Sequence, residues 1–296
     1  MLRLRSWMFV PGHSDKMMTK ALGLDLDVAM FDLEDGVVPA LKGEARGIVA
    51  TRLASAASAR LPVRYVRING LASGEIEADL EVVVVAGLQG IVLPKVETTE
   101  EVSEVAAILD RLEDARGLAR GAVRMMLALE SARGLLAAPE LACAGARVSG
   151  LMFGAEDYSR DLGLPTVRTG TARDFTYARS VIVNAAAAAR VMSVDGVWPD
   201  LGDGDGLRRD AVLGRDLGFT GKSMIHPGQI APINEVFSPT ANEVDYARRL
   251  ITDFEQAVSE GRGSISFGGQ LVDRPIYERA RATVRLADRT AGTGGA

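Results

Sequence analysis

Eight short apolar runs recur along the chain: SWMFVP from Ser6, VAMFDLE from Val28, VRYVRIN from Val63, GIVLPKV from Gly90, VRMMLALE from Val123, VSGLMFG from Val148, ARVMSVDGVW from Ala189 and GKSMIHP from Gly221. Each has the length and residue types of a buried strand. Between most of them lie polar stretches with apolar positions three and four apart, among them EARGIVATRLASAAS, TEEVSEVAAILDRLEDA and DFTYARSVIVNAAAAAR. That spacing predicts helices. Strand and helix alternating eight times predict an α/β chain folded as a (β/α)8 barrel, the TIM barrel. A doubly wound open sheet is the competing arrangement, but no glycine-rich dinucleotide or phosphate-loop motif follows the first strand.

The alternation assigns residues 1–235 to the barrel. Residues 236–290 form a C-terminal extension: a helix started by Ser238 and Pro239, a loop or hairpin over RGSISFGGQLVD, and a last helix over RPIYERARATVRLADRT. A barrel does not need this segment to close, so it is either a packing appendage or a lid. The end, AGTGGA at 291–296, reads as a disordered tail.

Composition narrows the picture. Of 296 residues 47% are hydrophobic but only 5% aromatic, so the core rests on Ala, Val, Leu, Ile and Met, as in helix-covered parallel sheets. The net charge is -5 with scattered bases, which argues against nucleic-acid binding. No stretch approaches the roughly 20 apolar residues of a membrane helix, and the N-terminal apolar run stops at Pro11-Gly12 without a signal-length core. A single cysteine, Cys143, excludes an intramolecular disulfide and fits a reducing cytoplasm. The two histidines, His13 and His226, exclude a multi-histidine zinc site, so a metal here must take oxygen ligands.

In such a barrel, chemistry sits where strands end. That filter selects Asp32, Glu34 and Asp35 after the second run, Arg67 and Asn69 after the third, Lys95 and Glu97 after the fourth, and Glu130 after the fifth. It continues with Glu156 and Asp157 after the sixth, Asp195 at the seventh and His226 after the eighth. Carboxylates facing one cavity raise each other's pKa unless a cation neutralises them. Mg²⁺ suits the role, since it takes one or two protein carboxylates and fills its other positions with water and substrate oxygens. Spacing alone does not select the ligands, because Glu130 and Asp157 stand beside helix starts where an acid also serves as a cap. Asp32 and Glu34, two apart, face one side of the pleat, with Asp35 opposite.

Further motifs carry a resemblance. RSWMFVPGHSDKMMTKAL, DVAMFDLEDGVVPALKGEAR, VRING, GIVLPKVE, LALESARGLLAAPELA, GLMFGAEDYSRDLG, GKSMIHPGQIAPINEVFSPTANEVDYARRLI and GGQLVDRPIYERA run in order from about residue 5 to 285. Together they resemble the citrate lyase β-subunit-like group, within the superfamily that also holds malyl-CoA lyases and pyruvate-dependent class II aldolases. The resemblance implies a (β/α)8 barrel, trimeric or hexameric, using Mg²⁺ and a CoA thioester. It implies that Glu130 and Asp157 ligate the metal and that Arg67 binds the carboxylate of a 2-oxo acid. Asp32 and Glu34 match acids that order the metal's waters or the neighbouring arginine, and Lys20 and Lys95 match family lysines, with Lys20 the better fit to the CoA side. Asp273, in QLVDRP, matches a lid aspartate that reaches a neighbouring subunit's site and exchanges a proton with the enolate carbon. Amides around Gly154 and Ala155 are candidate donors to developing charge. One departure concerns CoA: relatives carry PGNRPDR where this chain has PGHSDKM, so Ser14 replaces an arginine, with Lys16 nearby.

The expected activity is Mg²⁺-dependent cleavage or formation of a 3-hydroxyacyl-CoA thioester such as malyl-CoA or citramalyl-CoA. The competing activities are a CoA-independent 4-hydroxy-2-oxo-acid aldolase, a citrate lyase β-chain acting on an acyl-carrier thioester, and a malyl-CoA thioesterase or malate synthase-like reaction. A barrel kept only for binding does not explain so many strand-end acids.

Overall fold

The computed structural model describes residues 4–55, 62–165 and 175–291. From residue 292 on, the expected tail lies outside them. The chain divides into a barrel unit, Leu4–Asn234, and a C-terminal unit that begins at Glu235.

In chain order the barrel unit holds β1 (Ser6–Pro11), α1 (Asp15–Leu22), β2 (Val28–Asp32), α2 (Lys42–Ser55), β3 (Val63–Arg67), α3 (Ile76–Val83), β4 (Gly90–Leu93), α4 (Thr99–Ala115) and β5 (Arg124–Leu129). There follow α5 (Ala132–Leu136), α6 (Ala138–Ala142), β6 (Val148–Phe153), α7 (Ala155–Asp161), α8 (Thr176–Ala189), β7 (Met192–Asp195), α9 (Gly204–Leu217), β8 (Gly221–Met224) and α10 (Ile230–Val236), which crosses into the second unit. The eight strands form a closed parallel barrel in sequence order, sealed where Ser6, Trp7 and Met8 of β1 pair with Lys222, Ser223 and Met224 of β8. All eight expected runs are strands. Their residues are almost wholly buried because the barrel interior covers one face and the helices cover the other.

Local chemistry explains how the covering helices begin. Thr98 accepts from the Glu101 amide while the Glu101 carboxylate accepts from the Thr98 amide, a reciprocal cap that starts α4. Ser14, in the departing PGHSDKM motif, accepts from the Met17 amide and caps α1. Ser131 does the same for α5 through the Gly134 amide.

The C-terminal unit contains α11 (Ala241–Ser259), the hairpin of β9 (Ile265–Phe267) and β10 (Gln270–Val272), and α12 (Arg274–Ala291). The first helix starts at Thr240, not at Ser238-Pro239: Thr240 and Glu243 cap each other reciprocally, which satisfies two amides that Pro239 leaves untouched. Leu250, Phe254, Val272 and Tyr277 pack at the centre of this unit. The rings of Phe254 and Tyr277 stack at 4.8 Å, and the Tyr277 hydroxyl donates to Glu255 at 2.6 Å. Asp273 is exposed between β10 and α12, and its carbonyl accepts the Tyr277 amide. None of the helices with described residues is long and apolar enough to cross a membrane.

Candidate active site

The parallel register sets Asp32 at the end of β2 beside Arg67 at the end of β3. Their side chains join in a two-pronged ion pair, Arg67 Nε to Asp32 Oδ1 and Nη2 to Oδ2, each at 2.7 Å. The amides of Glu34 and Gly36 complete the Asp32 carboxylate at 3.0 and 2.8 Å. Gly36 must be glycine here, since a Cβ would sit 2.3 Å from Asp32 Oδ2. Burial opposes the charge on Asp32, but Arg67 and the two amides outweigh it and hold the carboxyl below its ordinary pKa. Arg67 also reaches Glu34 Oε2 at 3.1 Å and lies 4.6 Å from the centre of the Phe9 ring. Burial lowers its pKa, but Asp32, Glu34 and Glu130 raise it further, so it carries its charge throughout.

Lys95 closes the far side of Glu34, donating to Oε1 at 2.6 Å and to Asp35 at 3.3 Å. It holds a left-handed backbone, φ 53°, one of two non-glycine residues with positive φ among the described residues. Such a conformation costs on the order of 1 kcal/mol and persists where the surroundings demand it.

Glu130 follows β5 directly and is 5% exposed. Its Oε2 is buried without a hydrogen-bond partner. Burial first, then the charges of Glu34 and Asp157, push its carboxyl up to about 8 against the pull of Arg67 and Lys95. Gly154, at the end of β6, makes room for it: a Cβ there would stand 2.3 Å from Glu130 Cγ. Asp157 lies in the first turn of α7 and accepts from Arg160 at 2.6 Å. It is not the helix cap, since Gly154 holds that position.

Asp32, Gly36, Arg67, Glu130, Gly154 and Asp157 share one cavity of about 340 Å³, lined also by Phe9, Val92, Met152, Ser223 and Ile225. That volume is at the low end of ligand pockets and suits a small ligand. The structure therefore brings Arg67, Asp32, Glu130, Asp157, Gly154 and Ala155 together. Lys20 is exposed on the last turn of α1, and neither it nor Glu34 nor Lys95 lines the cavity: Glu34 stands behind Arg67, held by Lys95. Asp273 belongs to the C-terminal unit.

Two expectations need correction. The Gly154 amide is not available to a developing charge, because it donates to the Leu129 carbonyl at 3.0 Å as one more rung between β5 and β6. Ala155, at the first position of α7, keeps an amide with no intrahelical acceptor. Asp195 does not face the mouth: it is held by Arg179 and Lys222 between the strands and helices α8 and α9. Of the remaining strand-end residues, Glu97 accepts from Ser131 and His226 caps the turn after β8 through the Gly228 amide. Sequence reasoning missed Phe9 and Ser223, whose signal is that each lies inside a barrel strand or at its end.

The donor set fits a hard divalent ion. An unpartnered buried carboxylate oxygen lies beside a second carboxylate across a glycine cradle. Among the described residues no three His, Cys, Asp or Glu gather as a metal site, so an ion would take two protein carboxylates. Mg²⁺ binds in this way.

A parallel barrel whose mouth combines an arginine clamp with a buried, unpartnered carboxylate oxygen belongs to the class of barrel enzymes. The profile of the HpcH/HpaI aldolase/citrate lyase family matches residues 5–227, and the chain belongs to that family of lyases. Over 96% of its length the chain is 40% identical to the citrate lyase subunit beta of Leuconostoc mesenteroides subsp. cremoris, covering 93% of it. It is 33% identical to the mitochondrial citramalyl-CoA lyase of Homo sapiens, over 96% of this chain and 85% of that one. The crystal structure of Mycobacterium tuberculosis CitE with magnesium, acetoacetate and coenzyme A superposes with a TM-score of 0.78 at 30% identity, over 97% and 98% of the two chains.

Proposed function

We propose that this protein is a Mg²⁺-dependent carbon–carbon lyase that cleaves, or in reverse forms, a 3-hydroxyacyl-CoA thioester of the malyl-CoA or citramalyl-CoA kind, yielding an acyl-CoA and a 2-oxo acid. The observation that carries the reading is the buried, unpartnered oxygen of Glu130 at the wall of the Arg67 cavity. The relatives named citrate lyase subunit beta and citramalyl-CoA lyase, and the structure holding magnesium and coenzyme A, support it.

Glu130 and Asp157 would hold the ion, which when bound supplies Lewis acidity to the oxygens of the hydroxyacid end. Arg67, pinned by Asp32 and backed by Phe9, offers its positive charge to the substrate carboxylate in a fixed orientation. Val92, Met152 and Ile225 give the bond to be broken an apolar surround. As that bond breaks, its electron pair passes to the thioester α-carbon, the hydroxyl proton passes to solvent water, and the hydroxyl-bearing carbon becomes the carbonyl of the 2-oxo acid. The Ala155 amide, free of an intrahelical acceptor at the start of α7, would stabilise developing negative charge. Asp273, delivered by a neighbouring subunit of a homo-trimer or hexamer, is the group assigned to protonate the α-carbon in cleavage and deprotonate it in condensation. Lys20 is assigned to the CoA side, and the setting is cytoplasmic.

The 40% identity to a citrate lyase subunit beta favours one second reading, action on an acyl-carrier thioester beside partner subunits. Both are tested by incubating the purified protein with acetyl-CoA or propionyl-CoA and glyoxylate or pyruvate, with Mg²⁺ or EDTA, and identifying products by mass spectrometry. Carbon–carbon bond formation that EDTA abolishes, and that Glu130→Gln lowers by about three orders of magnitude, is expected. Full activity in Glu130→Gln would overturn the proposal. Turnover only with a carrier-bound thioester supports the second reading, and release of free CoA without a new carbon–carbon bond indicates a thioesterase.

A further inference from the structure

We infer that Lys42 and Asn69 are positioning residues that clamp the segment after β2 and so set Glu34 behind Arg67. The parallel ladder between β2 and β3 ends at Asp32 and Arg67, with one further rung from the Leu33 amide to the Arg67 carbonyl at 2.9 Å. Beyond it no strand neighbour fixes the chain, yet Glu34 must meet Arg67 on one side and Lys95 on the other.

Side chains take over from the ladder. Lys42 Nζ donates to the carbonyls of Leu33 and Glu34, at 3.1 and 3.3 Å, and to Asn69 Oδ1. An ammonium has three hydrogens, and all three are spent here. Asn69 is 1% exposed and donates from Nδ2 to the Leu33 carbonyl at 3.1 Å and to Asp79 Oδ2 at 2.7 Å. Its backbone amide donates to the same Asp79 oxygen at 2.7 Å, and Arg46 Nε reaches the other oxygen at 2.7 Å. The clamp is thereby anchored to α2 and α3 without an unfilled donor on Lys42.

Lys42 touches no cavity surface and acts through the Leu33–Glu34 backbone, so its role is positioning.

The inference rests on the proposed lyase activity only for its kinetic readout. Lys42→Met keeps the stem and removes the donors. Amide hydrogen exchange at Glu34 and Asp35 is expected to quicken about tenfold while β5 and β6 are unchanged. Turnover is expected to fall about tenfold or more with KM within about threefold, as for a group that orients rather than binds. In a Cys143→Ser background, Lys42→Cys alkylated with 2-bromoethylamine restores an ammonium at the same reach and should recover most of the turnover. Should Lys42→Met not fold, Lys42→Gln, which removes the charge and keeps two donor hydrogens on a shorter stem, carries the same comparison. Unchanged exchange at Glu34 and Asp35, or turnover that falls only in step with the folded fraction, overturns the inference. A wild-type protein without lyase activity would sink the proposed function instead. The exchange data, and calorimetry of pyruvate with Mg²⁺, would still decide the clamp: faster exchange with weakened pyruvate binding supports it, and neither change refutes it.

Discussion

Two groups of buried charge lie in the same barrel unit and differ in how completely they are paired. Between the strands and helices α8 and α9, Asp195 and Asp210 face Arg179 and Lys222, two acids against two bases. Arg179 takes Asp195 through Nε and Asp210 through Nη1, both at 3.0 Å, while Lys222 bonds both carboxylates and the Gly196 carbonyl. At the mouth, Asp32, Glu34, Glu130 and Asp157 stand against Arg67, Lys95 and the exposed Arg160, which holds Asp157, and Glu130 Oε2 has no partner. Burial alone therefore does not mark a working site. Unfilled valence does, because an unpaired buried carboxylate is costly enough that a folded chain keeps it where something else binds.

The comparison is broken most directly at Lys222. Lys222→Met leaves Asp195 and Asp210 short of a cation in a dry layer, and is expected to cost about 3–5 kcal/mol. Urea unfolding checks it. Turnover per folded molecule should fall far less than in Glu130→Gln. A Lys222→Met protein that unfolds like the wild type yet loses turnover would mean that the saturated cluster, too, belongs to the chemistry.

A smaller effect is expected at Gly154→Ala. The new methyl would lie 2.3 Å from Glu130 Cγ, so the Glu130 side chain must move. Overpacking of this kind costs about 1–3 kcal/mol, and calorimetry should show Mg²⁺ binding weakened more than the melting temperature suggests. Wild-type Mg²⁺ affinity in this variant would remove Glu130 from the ion's ligands.

The sequence carried the barrel because a strand buried on both faces shows as a plain apolar run, and eight such runs separated by helical spacing leave few other folds. The resemblance offered Asp32 and Glu34 as acids that order the metal's waters or the neighbouring arginine, and the β2–β3 register shows both on Arg67. The sequence failed where the side of a strand matters. Asp195 ends β7 as Asp32 ends β2, yet one faces the helices and the other the cavity, a difference set by the pairing partners and not by the local text. The Gly154 amide was lost to the same limit, because only the register shows that the β5–β6 ladder runs one residue past the strand. The clamp of Lys42 and Asn69 depends on contacts 27 residues apart in sequence, which no local pattern displays.

The smallest expected effect separates the two clusters by pH. Glu130 has its carboxyl raised to about 8, chiefly by burial. A carboxylic acid whose pKa rises on folding contributes stability below its unfolded pKa of about 4.5, and that contribution is lost as pH climbs through about 8. In metal-free protein, Glu130→Gln should therefore match the wild type near pH 5 and melt a few degrees higher near pH 9, where the wild type must bury a charge. Asp195 shows the opposite sign: burial raises its pKa, but Lys222 and Arg179 bring it below the ordinary value, so its contribution is present at neutral pH and lost only in acid. Saturating Mg²⁺ should reverse the alkaline difference, since the ion stabilises the charged Glu130 and has less to gain from glutamine. Melting curves of both proteins at pH 5 and pH 9, with EDTA and with Mg²⁺, give the four numbers needed. If Glu130→Gln gained nothing at pH 9 without metal, the Glu130 carboxylate would already be compensated by its protein neighbours, and the mouth would be as saturated as the cluster around Lys222.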